Sequence, residues 1–162
     1  MEIIIRKAMK KDSNAIHNLI IELAIFEKEP DSVKVSALEI ENHGFGSKPL
    51  FECIVAEIND VVVGMALYYP RYSTWRGPTF HLEDLIVSEK YKGKGIGTKL
   101  YSAFIRKSYN LGVQRVEWNV LNWNTQAVNF YKNSGATVLN DWDTVQMHRL
   151  EMGKYLDSLK ES

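Results

Sequence analysis

The sequence predicts a mixed α/β (α+β) fold with a central β-sheet and helices on both of its faces. Short apolar stretches suited to strands alternate with stretches whose apolar residues recur at helical spacing. The strand predicted at 79–88 is apolar at several successive positions, as expected for a central strand covered on both faces. No linker or repeat interrupts the 162 residues, so we expect one domain over 1–162.

The first half of the chain is predicted to contain three strands and two helices. In the first helix the apolar residues from Ile16 to Leu23 follow the i, i+3, i+4, i+7 spacing of one helix face, and Asp12 can cap its start. Asn59 and Asp60 suit a tight hairpin turn between two strands. The predicted elements are strands over 2–8, 50–58 and 61–70, and helices over 12–29 and 32–43.

The second half begins with the strand at 79–88, followed by a glycine turn and a long helix that Gly112 can end. A further strand is expected over 114–121 and a short helix over 124–135, capped by Asn124 and ended by Gly135. Two late strands are expected at 136–141 and 144–152, and the polar tail from 153 can be helical.

Composition excludes several classes of function. Twenty basic and twenty acidic residues give zero net charge, so no global field attracts nucleic acid or anionic membrane. The single Cys53 can form neither an internal disulfide nor a zinc site, and we expect a buried reduced thiol. The histidines lack metal-ligand spacing. Without a signal peptide or a long apolar run, the chain is expected to be soluble and cytoplasmic.

The stretch YKGKGIGTKLY at 91–101 contains Gly93, Gly95 and Gly97 immediately before the long helix. The first amides of a helix are unpaired and carry partial positive charge, so a glycine turn at this point can bind phosphate. The alternative is a flexible turn with solvated lysines. The order Gly97-Thr98-Lys99 excludes the nucleotide P-loop, and the glycine spacing excludes the dinucleotide fingerprint.

Glu83 and Asp84 lie inside the apolar strand that precedes this turn. Successive side chains of a strand point to opposite faces, so each face is expected to receive one carboxylate. Burying an unpaired charge is costly. These residues therefore predict either a general base with a shifted pKa, or ion pairs and a solvated strand entrance.

Two further segments have side chains that suit a binding site. Asn124 and Tyr131 are seven residues apart, about two helical turns, and share nearly one helix face. The loop that leads to Trp75 is rich in tyrosine and contains Arg71 and Arg76. It can line a ligand pocket or a dimer surface, although core packing is the simpler interpretation for the tyrosines on the strand.

These motifs, in this order, resemble the GNAT superfamily of N-acetyltransferases, and within it the spermidine/spermine (diamine) N-acetyltransferases. The segments that resemble that group are LIIELAIFE, GFGSKPLFECIVAE, ALYY, LEDLIV, GKGIGTKLY and WNTQAVNFYKNSGA, and together they span most of the chain. Lys92 stands where the family's acetyl-CoA loop usually has glutamine or arginine. The resemblance implies a GNAT fold, acetyl-CoA as co-substrate, no metal, and a homodimer.

The resemblance also implies roles for individual residues. Glu83 would help to remove the amine proton, through water, and Tyr131 would protonate the departing CoA thiolate, with direct transfer in a ternary complex. Residues implied for acetyl-CoA binding are Leu85, Ile86, Val87, Gly93, Lys94, Gly95, Ile96, Gly97, Thr98, Asn124, Thr125, Gln126 and Ala127. Residues implied for the amine are Phe26, Glu27, Trp75, Glu83, Glu117, Trp118 and Asn119.

The acceptor expected from this resemblance is a small-molecule amine, in the first place a polyamine or diamine such as spermidine, spermine or putrescine. In the spermidine-type enzymes an acidic residue tends to stand two before the loop tryptophan, whereas this chain has Ser73 there and arginines nearby. That difference favours a lysine-like amino acid such as thialysine as a second candidate. Two further hypotheses are acetylation of a protein and a non-catalytic role as a CoA-binding sensor.

Overall fold

The computed structural model describes residues 1–160, which divide into two compact units, Met1–Leu121 and a second unit that begins at Asn122. The prediction of one domain over the whole chain stays a prediction. The elements of the first unit are β1 Ile4–Lys7, α1 Ser13–Phe26, α2 Ala37–Phe45, β2 Glu52–Ile58, β3 Val61–Ser73, β4 Gly77–Val87, α3 Ile96–Asn110 and β5 Val116–Glu117. Those of the second unit are α4 Thr125–Asn133 and α5 Arg149–Ser158.

The first unit is a five-stranded mixed sheet in the order β1-β2-β3-β4-β5. All neighbouring strands are antiparallel except β4 and β5, which are parallel. The β2–β3 hairpin turns at Asn59 and Asp60, whose φ angles of 48° and 62° are those that a tight two-residue hairpin turn requires. The predicted hairpin is therefore confirmed.

Helices cover both faces of the sheet, as predicted. On one face Ile16 and Leu19 of α1 and Ile40 of α2 pack against the buried side chains of β2, β3 and β4. On the other face Leu100 and Phe104 of α3 pack against the sheet. Apolar residues at helical spacing produce these buried stripes, and their burial is the main stabilising contribution of each layer.

Two helix starts differ from the prediction. The Asp12 side chain does not cap α1; it accepts hydrogen bonds from Arg6 and from the Met9 amide. The second helix begins at Ala37 rather than at 32, because Ser36 and Glu39 form a reciprocal capping box there. Arg6 also binds Glu57 of β2, so the arginine-paired cluster of Arg6, Asp12 and Glu57 joins β1 to its neighbours.

In the second unit α4 agrees with its prediction, because the Asn124 side chain caps it and Gly135 follows with a φ of 100°. The prediction of two late strands is wrong. No strand is assigned between 136 and 152, and α5 begins at Arg149. The stretch from 149 is rich in good helix formers, and a strand needs a partner that local alternation cannot reveal. β5 is also shorter than the predicted 114–121.

No helix among residues 1–160 has both the length and the apolar character that crossing a membrane requires.

Candidate active site

A β-bulge in β4 determines where its two carboxylates point. Tyr68 of β3 lies opposite Leu82, but the next pair along the strands is Leu67 and Asp84, so Glu83 is an extra residue in β4. Leu67 belongs to the core on the α1 side of the sheet, which places Asp84 on that face. Glu83 lies on this face too, because it contacts Tyr69, which follows the α3-side residue Tyr68 on β3 and so points to the opposite face. The expectation of one carboxylate per face is therefore wrong, because the bulge interrupts the strand alternation.

Glu83 is held at one of its two oxygens. The Tyr69 hydroxyl donates a hydrogen bond of 2.9 Å to Glu83 Oε2, and Nε2 of His81 lies 3.6 Å from the same oxygen. Tyr69 and His81 are opposite each other on β3 and β4, and their rings stack with centroids 5.3 Å apart. The Glu83 side chain is 51% exposed, and neither of these contacts involves its other oxygen, Oε1.

Asp84 and Glu27 complete a carboxylate cluster with Glu83. Burial, followed by the charges of Glu83 and Glu27, raises the pKa of Asp84 to about 7. Burial and the charge of Glu83 also raise the pKa of Glu27, which directly follows α1. Burial and the hydrogen bond to Glu83 raise the pKa of Tyr69 to about 12, so its hydroxyl stays protonated as a donor. The carboxylate cluster of Glu27, Glu83 and Asp84 therefore favours binding of a cation.

The glycine turn has the geometry of an anion site. Gly93 and Gly95 both have φ of 75°, and a Cβ built on either would meet nothing within 4 Å. Gly95 precedes the fifteen-residue α3, and no side chain of the described residues caps this helix start. The space beside Gly93 and Gly95 is therefore open, and Gly95 has no side chain to bind the amides of the first turn, as a phosphate site requires.

β4 also presents a free backbone edge close to this turn. β5 pairs with β4 only at Phe80 and His81. On its other side β4 pairs with β3 as far as Val87. Among residues 1–160 no further strand pairs with the 85–87 segment on the β5 side, so its backbone groups on that side are available to an extended ligand.

The residues predicted to contact the amine lie in different environments. Glu27 and Glu83 belong to the carboxylate cluster, and Phe26 directly precedes Glu27 with its ring beneath the Lys92 ammonium at 4.8 Å. Glu117 forms ion pairs with Arg71 at 2.6 Å and with Arg115 at 3.5 Å. The remaining three are Trp75, which is 79% exposed, Trp118, which packs edge-on against Tyr101 within the α3-side core, and Asn119, which is exposed.

Tyr131 and the predicted cofactor residues 124–127 belong to the second unit. Asn124 accepts a hydrogen bond of 3.3 Å from the Ala127 amide, and this bond forms the helix cap. Thr125 and Gln126 are exposed at the start of α4, and the Tyr131 ring lies 5.5 Å from that of Phe130. The proposed roles of these residues in acetyl-CoA binding and proton donation stay predictions.

Cys53 is a core residue, as predicted. It is 3% exposed among apolar neighbours, and burial raises the pKa of its thiol far above the usual range. A thiol in that state is a poor nucleophile. No group of three or more potential ligands among residues 1–160 could hold a metal ion.

Sequence reasoning missed Tyr69 and His81 as neighbours of Glu83. The tyrosine pair at 68 and 69 suggests core packing, which is correct for Tyr68 but not for Tyr69. His81 stands two residues before Glu83, a spacing that places two strand residues on one face. That spacing indicated in the sequence that His81 and Glu83 are neighbours, although it did not reveal the bulge.

Comparison with known proteins identifies the relatives of this chain. The family model described as "Acetyltransferase (GNAT) family" matches residues 14–136. "Thialysine N-epsilon-acetyltransferase" of Mus musculus is 42% identical over 145 residues, or 85% of each chain. "Spermidine/spermine N(1)-acetyltransferase-like protein 1" of Homo sapiens is 32% identical over 160 residues, 94% of this chain and 23% of that longer protein. An integron cassette protein from the V. cholerae mobile metagenome has the same fold, with a TM-score of 0.77 at 23% identity over 96% of this chain and 98% of that one.

Proposed function

We propose, from the premise that this chain belongs to the GNAT family and is an acetyltransferase, that it transfers the acetyl group of acetyl-CoA to a primary amine of a small cationic molecule. The observation that supports this most directly is the carboxylate cluster. Burial, followed by the charges of neighbouring members, raises the pKa of Asp84 and of Glu27, so a bound ammonium group would relieve the repulsion within the cluster. The substrate therefore supplies the positive charge at this point.

Residues of the first unit fit acetyl-CoA. The amides from Gly93 to Thr98, including those of Lys94 and Ile96, would hold the pyrophosphate at the start of α3. The free backbone edge at Leu85, Ile86 and Val87 would pair with the pantetheine arm. In the second unit, residues 124–127 are proposed to border the cofactor. When bound, acetyl-CoA supplies an acetyl group activated as a thioester.

The chain's own contribution is positioning and proton transfer. An alkyl amine is mostly protonated at neutral pH, since a lysine-like pKa is about 10.4, and only the neutral amine is a nucleophile. Glu83, whose side chain is 51% exposed and is contacted at Oε2, is proposed to accept the proton, directly or through water. Tyr131 Oη is proposed to donate a proton to the departing sulfur. No acyl-enzyme is needed, and the buried Cys53 has no part in the transfer.

A polyamine or diamine is the first candidate acceptor. Three neighbouring carboxylates suit a chain with more than one ammonium group. The Arg71 guanidinium, which would repel such a substrate, is paired with Glu117 at 2.6 Å. This ion pair lowers the electrostatic cost of binding a polyamine beside Arg71, a cost that the sequence alone suggested.

A lysine-like amino acid such as thialysine is the second candidate, and a different observation favours it. The relatives at 42% and 38% identity are named as thialysine acetyltransferases. Ser73 replaces an acidic residue and accepts hydrogen bonds from the Trp75 and Arg76 amides, which organises the loop without adding negative charge. The exposed Arg76 is available to bind a substrate carboxylate.

We propose further that the protein acts as a cytoplasmic homodimer without nucleic-acid or membrane partners. The zero net charge supports the absence of such partners. The second unit exposes large apolar side chains, among them Trp142, Leu150 and Leu156, which supports contact with a second copy. Light scattering on the purified protein tests the dimer; a mass of about one chain at micromolar concentration would reject it.

The experiment that tests the function is a thiol-release assay with acetyl-CoA and a panel of amines: putrescine, spermidine, spermine, lysine, thialysine and a lysine peptide. Fastest turnover of a polyamine supports the first candidate. Fastest turnover of lysine or thialysine, lost in Arg76→Ala, supports the second. Turnover of the peptide alone would indicate protein acetylation instead. No turnover despite acetyl-CoA binding would indicate a sensor.

Tyr131→Phe is the matched variant for the proton-donor role in the same assay. We expect turnover to fall by roughly 10²–10⁴, with the affinity for acetyl-CoA almost unchanged. Wild-type turnover in this variant would remove Tyr131 from the mechanism.

A further inference from the structure

Tyr69 on β3 and His81 on β4 both approach the same oxygen of Glu83. His81 is 8% exposed and lies in register with Tyr69 on β3 and with Glu117 on β5. The two aromatic rings are nearly parallel, with an interplanar angle of 30°. The tyrosine hydroxyl at 2.9 Å and the imidazole Nε2 at 3.6 Å both approach Glu83 Oε2. Glu83 Oε1 makes neither of these contacts.

The hydrogen on His81 can be assigned from its surroundings. Nδ1 is buried and has no hydrogen-bond partner within residues 1–160. A hydrogen on Nδ1 would be buried without an acceptor, which is costly. The neutral ring is therefore expected to carry its hydrogen on Nε2, the nitrogen that faces Glu83.

We propose that Tyr69 and His81 are positioning residues that fix Glu83 Oε2 and leave Oε1 as the oxygen that meets the substrate amine. This inference rests on the proposed function of Glu83. A bulged, half-exposed glutamate would otherwise sample several rotamers, and holding it in one orientation reduces the entropy lost when the amine binds. The stacked ring of His81 in turn limits the movement of Tyr69.

Three variants separate these contributions. Tyr69→Phe removes the donor but keeps the ring, and we expect kcat to fall about tenfold or more, with the KM for acetyl-CoA unchanged. His81→Gln keeps an N–H donor, so we expect kcat to be largely retained. His81→Leu removes the N–H donor, and we expect kcat to fall while the KM for acetyl-CoA stays unchanged. Tyr109→Phe and His43→Gln, at exposed positions, are the matched controls.

The outcomes of these experiments test the positioning role of Tyr69 and His81 separately from the proposed function of the protein. If the wild-type protein acetylates an amine but Tyr69→Phe and His81→Leu stay within twofold of it at all pH values, the positioning role is wrong. If the wild type is inactive on the whole panel, the proposed function fails, and crystal structures of wild type and Tyr69→Phe still test the positioning. We expect one Glu83 orientation in the wild type and several in the variant; a single unchanged orientation would overturn the inference.

Discussion

Two groups of partly buried acidic residues lie in the first unit, and they differ in what surrounds them. In the arginine-paired cluster, the Arg6 guanidinium binds both carboxylates, at 2.6 to 3.0 Å, and lowers the pKa of Asp12. In the carboxylate cluster, burial, followed by the charges of Glu83 and Glu27, raises the pKa of Asp84 to about 7. Similar residue types thus have opposite electrostatic environments.

The comparison distinguishes a structural role from a binding role. A carboxylate that receives its cation from the same chain is satisfied in the folded protein and contributes to its stability. Carboxylates that are brought together by a strand bulge raise the energy of the folded state at neutral pH, unless a cation arrives from outside. The first arrangement connects β1 to β2, and the second suits an ammonium substrate.

The largest expected effect is on catalysis at the carboxylate cluster. Glu83→Gln keeps the shape of the side chain but removes the proposed proton acceptor, so we expect turnover to fall by roughly 10²–10⁴. The variant should fold normally, because it also removes one member of a repelling group. Steady-state kinetics across pH, beside a thermal unfolding curve, check both parts. A pH profile identical to the wild type would count against Glu83 as base.

The second largest effect is on stability at the arginine-paired cluster. Arg6→Leu leaves Asp12 and Glu57, whose side chains are only 5% and 13% exposed, without their cation. We expect the free energy of unfolding to fall by about 2–4 kcal/mol, because unpaired buried charge is costly. Turnover per folded molecule should stay unchanged. Urea unfolding measures the free energy of unfolding, and active-site titration gives the turnover per folded molecule. A large loss of turnover in the folded variant would contradict a purely structural role for the arginine-paired cluster.

Prediction from the sequence succeeded where the deciding interactions are local. The helical spacing around Ile16 and Leu19, the Asn59-Asp60 turn and the glycine turn at Gly93 and Gly95 each depend on neighbouring residues, and all are present. The sheet with helices on both faces follows from such elements.

Prediction failed where the structure depends on contacts between residues that are far apart in the sequence. The bulge at Glu83 is a register shift between β3 and β4, and strand alternation alone predicts the opposite placement of Asp84. The ion pair between Arg71 and Glu117 joins residues 46 positions apart, so the sequence suggested a free arginine. Asp12 could not be recognised as a partner of Arg6 because an aspartate before a helix suggests a cap.

The next effect, which per pH unit is smaller than that expected for Arg6→Leu, concerns the pH dependence of stability at Asp84. Its raised pKa means that the folded state binds this proton more tightly than the unfolded state, so the wild type loses stability from this group as pH rises from about 4 to about 7. Asp84→Asn cannot titrate. We therefore expect the stability of the variant relative to wild type to increase over that range, by roughly 1 kcal/mol per pH unit. Urea unfolding at several pH values checks this, and a constant difference would contradict it.

The smallest effect is expected at a solvent-exposed ion pair. Lys10 lies in the turn beside the arginine-paired cluster and pairs with Glu41 at 3.1 Å, but its side chain is 69% exposed. Water and salt screen such a pair, so Lys10→Ala should change the free energy of unfolding by less than about 1 kcal/mol. Measured beside Arg6→Leu, this variant shows whether burial, rather than proximity of opposite charges, makes the arginine-paired cluster important. Equal losses of unfolding free energy in Lys10→Ala and Arg6→Leu would mean that burial is not what makes the arginine-paired cluster important.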